Sequence, residues 1–274
     1  MKSNPDKREA DLLKDLEKQG LGPLTVDDFL GGKVRLIQLK EGYRAGMDAV
    51  LLAASIPALS GDRVLDIGAG TGSVAICLAR RCRGVTVDGL EIQDSLVSLA
   101  DKNIALNGLA GKVVIHQGSV VADPQDIPEN FYHHVFANPP YLEGGQAIAP
   151  PAKSKGIAYV EGEAALEDWV KFALSKVKNK GTLTFIFRAD RMHEICRHLY
   201  GRAGELVIFP LWPRVGQPAK RVIIRARKGL HGGATIAPGL VLHGTEERYS
   251  RQAEAVLREA KMIDLAQYHR AKKA

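Results

Sequence analysis

The stretch Val64-Leu65-Asp66-Ile67-Gly68-Ala69-Gly70-Thr71-Gly72-Ser73 decides the fold of this chain. An apolar run ends in glycines at alternate positions, and Val74, Ile76, Leu78 and Ala79 follow at helical spacing. This is a strand, a tight turn and a helix. Glycines at 68, 70 and 72 let the backbone turn sharply and approach a ligand closely, as happens at the carboxyl edge of a doubly wound sheet. The spacing is Gly-x-Gly-x-Gly, and Ser73 stands where the dinucleotide pattern Gly-x-Gly-x-x-Gly has its last glycine. That disfavours a nicotinamide or flavin site. Asp66, just ahead of the first glycine, is a poor neighbour for a pyrophosphate and a good one for a cationic amino group. The loop therefore points to a nucleoside that carries an amino acid.

Downstream, Val85-Thr86-Val87-Asp88-Gly89-Leu90-Glu91-Ile92 reads as the next strand. It ends in Glu91, at about the distance from the loop at which a ribose-binding carboxylate sits. Glu91 would accept from both ribose hydroxyls, and Ile92 would cover one face of an adenine. The alternative for Glu91 is a surface carboxylate capping the following helix, a task for which Asp94 is better placed. Farther along, helices are expected near 73–82, 94–107, 164–178 and 190–202, and strands near 63–67, 85–91, 112–117, 133–138 and 182–187. A pair near 205–210 and 220–227 completes the pattern. The fold expected is α/β and Rossmann-like: a seven-stranded, mostly parallel sheet with one antiparallel strand and helices on both faces.

The strand His133-His134-Val135-Phe136-Ala137 delivers Asn138-Pro139-Pro140-Tyr141 to the carboxyl edge of that sheet. The arrangement suits methyl transfer to a planar nitrogen. An exocyclic amine has its lone pair delocalised into a ring or amide, so it is a weak nucleophile and must be held. The Asn138 side-chain oxygen and the Pro139 carbonyl are two acceptors for its two N–H protons. Tyr141 offers a face on which a flat group stacks, and the prolines stiffen the turn and remove competing donors. A proline-rich strand exit with a buried tyrosine is the plain alternative for these four residues taken alone.

With these motifs in order, the chain resembles the class I S-adenosylmethionine-dependent methyltransferases of the Asn-Pro-Pro-Tyr type. Within them, Phe29-Leu30-Gly31-Gly32-Lys33 and Gly42-Tyr43-Arg44-Ala45-Gly46-Met47-Asp48-Ala49-Val50-Leu51-Leu52-Ala53 are similar to the amino-terminal signature of the bacterial tRNA adenine N6-methyltransferase-like family. Glu91-Ile92-Gln93 and Asn103-Ile104-Ala105-Leu106-Asn107-Gly108 fit the same pattern. The resemblance implies an S-adenosylmethionine cofactor held by Tyr43, Arg44, Asp48, Asp66, Gly68, Gly70, Gly72, Glu91, Ile92, Gly118, Ser119, Val120 and Asn138. It implies catalysis at Asn138, Pro139, Pro140 and Tyr141, and an RNA partner, specifically tRNA. Asp48 also reads as a plain helix N-cap before Ala49. Many relatives carry an acidic residue where this chain has Ser119, after Gly118; a serine hydroxyl accepts from the adenine amino group as a neutral, weaker partner. Glutamine methylation in release factors and guanine N2 methylation in ribosomal RNA are rival substrates. A catalytically silent RNA-binding protein is the rival of another class, and would be expected to show decay at Asp66, Glu91 or Asn138.

The composition, 274 residues with 45% hydrophobic and 25% charged, is that of an enzyme with one full core. No apolar run is long enough to span a bilayer, and a cytoplasmic location is expected. Cys77, Cys82 and Cys196 lack Cys-x-x-Cys spacing and read as reduced packing residues. His133 and His134 lack a third ligand at a convincing spacing, so no metal is expected. Residues 211–274 hold 13 Lys or Arg against 5 Asp or Glu, so the basic excess of the chain is carboxyl-terminal. Arg214, Lys220, Arg221, Arg225, Arg227 and Lys228 surround Trp212 and the strand Val222-Ile223-Ile224, a stripe suited to a phosphate backbone or, alternatively, a solvated strand face. Substrate contacts are expected at Lys153, Lys155, Arg214, Lys220 and Arg221. The two lysines lie in the long connection after Tyr141, read as a substrate lid or a plain surface loop.

Residues 1–25 form a peripheral amino-terminal extension with Leu12, Leu13 and Leu16 at helical spacing. Residues 26–274 form one domain, divided into a cap region (26–59), a cofactor-binding core (60–210) and a basic carboxyl-terminal hairpin and helix (211–274).

Overall fold

The structure, a computed structural model, describes residues 13–14, 16, 22–41, 44–122, 124–140, 164–244 and 247–268. From residue 24 the described chain forms a hairpin of β1 (Leu24–Phe29) and β2 (Val34–Leu39), followed by helix α1 (Met47–Ser55). The core then alternates: β3 (Arg63–Ile67), α2 (Ser73–Arg81), β4 (Thr86–Glu91), α3 (Asp94–Leu106), β5 (Val113–Gln117) and β6 (Tyr132–Ala137). After residue 163 come α4 (Leu166–Lys176), β7 (Val177–Arg188), α5 (Met192–Leu199), β8 (Ala203–Trp212) and β9 (Arg221–Lys228). Two short strands, β10 (Ala234–Ile236) and β11 (Leu240–Val241), and helix α6 (Arg251–Leu257) complete it.

The seven expected strands lie in the order β5-β4-β3-β6-β7-β9-β8, and β9 alone runs antiparallel to its neighbours. Beyond the expected sheet, β10 and β11 add to the outer edge of β8 in parallel. The central strands read as continuous apolar runs because both faces are covered. Val64 and Phe136 point into one layer with Leu51, Ile76 and Ile104, whereas Leu65 and Val135 point into the other with Val170, Phe185 and Ile195. At the amino terminus, Leu16 is buried in a small cluster with Leu24, Ile37 and Leu99.

The basic stripe is not one surface. Strand β9 lies between β7 and β8 and runs against them, so its start is at the carboxyl edge of the parallel strands and its end at the opposite edge. Arg225 is 2% exposed, and desolvation lowers its pKa to about 10. Arg227 binds Glu205 and the Lys180 carbonyl, and Lys228 donates to Asn130 and the Val177 carbonyl. Of the six cations, only Arg214, Lys220 and Arg221 are placed at the carboxyl edge. Alternation along a strand predicts two faces but not which of them helices will cover.

The two histidines sit at the amino end of β6, away from the glycine loop. His133 Nδ1 accepts from the Arg63 amide at 3.0 Å; His134 lies 2.7 Å from Thr182 Oγ1 and 3.2 Å from Asp62 Oδ2. Burial lowers the His134 pKa, against the opposing pull of Asp62. A histidine whose folded pKa is depressed leaves the unfolded chain with more bound protons, so its contribution is complete above about pH 6.5 and is lost as pH falls. Thermal denaturation across pH 7.5 to 5.5 should therefore show a stability loss on acidification that is smaller in His134→Gln than in the wild type. Equal slopes would contradict this.

Candidate active site

The glycine loop is built by its neighbours. Strand β3 ends at Ile67, and the amides of Gly68 and Ala69 both donate to the Leu90 carbonyl of β4, at 2.8 and 3.0 Å. Gly68 has φ +72°, and a Cβ placed there would lie 2.5 Å from Cη2 of Trp169 on α4. Glycine is needed on both counts. Gly72, also left-handed, is the N-cap of α2 and carries no capping side chain. Asp66 supplies that function from the strand, since its carboxylate accepts from the Ala75 amide in the first turn of the helix. Its other oxygen, Oδ2, is buried with no hydrogen-bond partner among the described residues. Burial, reinforced by the nearby Glu91 carboxylate, raises the Asp66 pKa well above the usual carboxylate range. A buried, unpartnered carboxylate oxygen beside a backbone cradle fits a cationic group of a bound ligand.

Glu91, only 6% exposed, is not the surface carboxylate of the alternative reading. Its Oε2 accepts from the Gly70 amide and its Oε1 from the Gln93 amide, each at 2.9 Å, while burial raises its pKa. The two amides, with the Ile92 amide and the Gln93 side chain, fix the plane of the carboxylate. Gln93, rather than Asp94, is the N-cap residue of α3. Next to it, Ile92 is 50% exposed at the end of β4, and Val121 is equally exposed after β5. Ile92 is the residue expected to cover an adenine, and the exposure of Val121, beyond the end of the neighbouring strand, was not expected. Gly118 donates to the Glu91 carbonyl at 2.9 Å, which brings Gly118, Ser119 and Val120 to the same edge. The Ser119 hydroxyl accepts weakly from the Val121 amide at 3.4 Å.

The pairing of Ala137 with Ile67 sets Asn138 beside Gly68, so the Asn-Pro-Pro turn and the glycine loop leave adjacent strands at one edge. Asn138 is half-buried, Pro139 buried and Pro140 half-buried. Tyr43, Tyr141, Lys153 and Lys155 lie outside the described residues, as does the lid expected after Tyr141.

Arg44 and Asp48 are engaged with other protein groups. Arg44 donates to Asp27 at 2.6 Å, to Thr25 Oγ1 at 3.0 Å and to the Leu39 carbonyl at 3.1 Å. These contacts tie it to the hairpin. Arg44→Ala is expected to cost about 1 kcal/mol of stability and to leave cofactor affinity within about twofold. Calorimetric titration alongside thermal denaturation separates the two; a large loss of affinity would place Arg44 in the cofactor site. Asp48 is the second residue of α1, whose N-cap is Gly46, so it is not the N-cap itself. It meets Arg221 Nε at 3.2 Å. Arg214 donates to the Gly244 carbonyl, and Lys220 is exposed.

Comparison with known proteins agrees with this geometry. Residues 45–154, which hold the glycine loop, Glu91 and the Asn-Pro-Pro-Tyr turn, match the Methyltransferase small domain. The fold is the Rossmann-like class I fold, and the matched segment is that of S-adenosylmethionine-dependent methyltransferases. In particular, the chain resembles the tRNA1(Val) (adenine(37)-N6)-methyltransferase of Yersinia pseudotuberculosis, strain YPIII, with 29% identity over 76% of this chain and 81% of that protein. Among solved structures, a predicted O-methyltransferase of Agrobacterium tumefaciens superposes with a TM-score of 0.67 at 23% identity, over 79% of this chain and 98% of that one. A tRNA (m1A58) methyltransferase of Aquifex aeolicus gives 0.51 at 15% identity, over 70% and 72%. Both likenesses concern the fold. Among the described residues no helix is long and apolar enough to cross a membrane, and no cluster of metal-ligating side chains occurs.

Proposed function

We propose that this protein methylates the exocyclic N6 amine of an adenine in tRNA. The single observation that carries the proposal is the placement of Asn138-Pro139-Pro140 beside the glycine loop, in a chain whose similarity to tRNA1(Val) (adenine(37)-N6)-methyltransferases extends over 76% of its length.

When bound, S-adenosylmethionine supplies a methyl group made electrophilic by its sulfonium. The residues of the chain bind and orient. Asp66 would pair with the cofactor's ammonium group, Glu91 would accept from its ribose hydroxyls, and Ile92 and Val120 would border its adenine. On the acceptor side, Asn138 Oδ1 and the Pro139 carbonyl take hydrogen bonds from the two N6 protons. They would orient the nitrogen for attack, and Tyr141 would offer its ring to the base. A strong general base is not required, because the nitrogen becomes acidic only once it has been methylated. Its proton then passes to water. Arg214, Lys220 and Arg221, at the same sheet edge, contact the phosphates of the RNA, joined by Lys153 and Lys155.

The test is the nucleoside content of tRNA from a strain that lacks the gene. N6-methyladenosine should disappear from one isoacceptor and return when the intact gene is supplied. An unchanged tRNA profile would count against the proposal.

A further inference from the structure

The hairpin β1–β2 is separate from the main sheet, and among the described residues one side of β2 faces no strand. An unpaired strand edge leaves backbone donors and acceptors that must be satisfied elsewhere. Helix α3 satisfies them with two asparagines. Asn107 accepts from the Arg35 amide at 3.1 Å and donates to the Arg35 carbonyl at 2.7 Å. Asn103 accepts from the Ile37 amide at 2.7 Å and donates to the Ile37 carbonyl at 3.1 Å. Each side-chain amide thus imitates a strand residue. The fit is metric: four helical residues rise about 6 Å and two strand residues about 6.6 Å, so i and i+4 on the helix meet j and j+2 on the strand.

Of the two side chains, that of Asn103 has, among the described residues, a bond that leaves the helix and the hairpin. Its amide nitrogen also donates to the Thr71 carbonyl, at 3.0 Å, inside the glycine loop. Asn103 is fully buried, and Thr71 is 2% exposed. The corresponding bond of Asn107 instead goes back to the Asn103 carbonyl, within its own helix. At the next residue of the strand, Gln38 accepts from the Ala45 amide at 2.7 Å and donates to Asp27, the partner of Arg44.

We propose that Asn103 is a positioning residue for the cofactor: its side chain holds the Thr71–Gly72 peptide unit, whose Gly72 amide donates to the Ala69 carbonyl at 2.9 Å, in the same peptide unit as the Gly70 amide that orients Glu91, while tying the hairpin to the loop. This rests on the cofactor alone and not on the identity of the methyl acceptor. A peptide unit whose carbonyl is held by a buried amide cannot rotate without breaking that bond, so the Gly72 amide, and through its bond to the Ala69 carbonyl the Ala69–Gly70 unit, are fixed before the cofactor arrives.

Asn107 is the internal control, because it joins the same helix to the same strand and makes no bond to the loop. Asn103→Ala and Asn107→Ala should both lower the thermal midpoint. Asn103→Ala alone should raise the Kd for S-adenosylmethionine, by about tenfold, as read by calorimetric titration of each full-length variant. Equal effects of the two substitutions on Kd would overturn the proposal and leave Asn103 as hairpin scaffolding. Hydrogen exchange on the wild-type protein covers the case in which a variant does not fold. S-adenosylmethionine should slow exchange of the Ile37 amide, held by Asn103, more than that of the Arg35 amide, held by Asn107. Equal slowing would overturn the proposal as well.

Discussion

Asn138→Ala should lower kcat by about a thousandfold while leaving the Kd for S-adenosylmethionine within about threefold. The substitution removes one of the two acceptors that aim the amine and leaves Asp66, Glu91 and the glycine loop untouched. Asn138 follows Ala137, which pairs with Ile67, so it lies just beyond the end of a buried, paired strand. A structural collapse is therefore not the expected source of the loss. Single-turnover kinetics with saturating cofactor, together with direct titration of cofactor binding, separate the two roles. A parallel loss of both would assign Asn138 mainly to holding the cofactor.

Gly68→Ala is expected to have the second largest effect. The left-handed φ of +72° strains any side chain, and the added methyl meets the Trp169 ring at 2.5 Å. Together these should cost about 2–3 kcal/mol and displace the loop from the cofactor. The two parts can be told apart. Combining Gly68→Ala with Trp169→Leu removes the collision and keeps the backbone strain, so it should restore part of the stability but not the whole of the cofactor affinity. Wild-type stability and affinity in Gly68→Ala alone would show that the loop tolerates a side chain and that its geometry has been misread.

What was legible in the sequence is what local backbone chemistry determines. The alternate glycines, the carboxylate at the end of the next strand and the Asn-Pro-Pro turn each announce a conformation within a few residues. The parallel sheet then brings them to one edge because every one of them ends a strand. Roles set by distant partners were not legible. Asp48 and Arg221 are 173 positions apart, and their pairing follows only from the place of β9 in the sheet. Arg225 belonged to a plausible basic stripe until β7, β9 and β8 were seen to lie side by side with both faces covered; its charge is favoured by Asp264, on the carboxyl-terminal segment. Arg44 fitted a family signature, yet its guanidinium closes a network with Thr25, Asp27 and Leu39 that only the hairpin register assembles. Asn103 and Asn107 had the visible spacing of one helix face. The strand edge that they satisfy could not be read from it.

The measurement that bears most directly on the central claim is transfer of labelled methyl from S-adenosylmethionine by the purified protein. Total tRNA, ribosomal RNA and release factor from a strain lacking the gene should be offered separately, followed by nucleoside and amino-acid analysis. Label confined to N6-methyladenosine of tRNA, and absent with Asn138→Ala, is the predicted result. Label in N2-methylguanosine or in glutamine, with none in adenosine, would contradict the assignment of the acceptor.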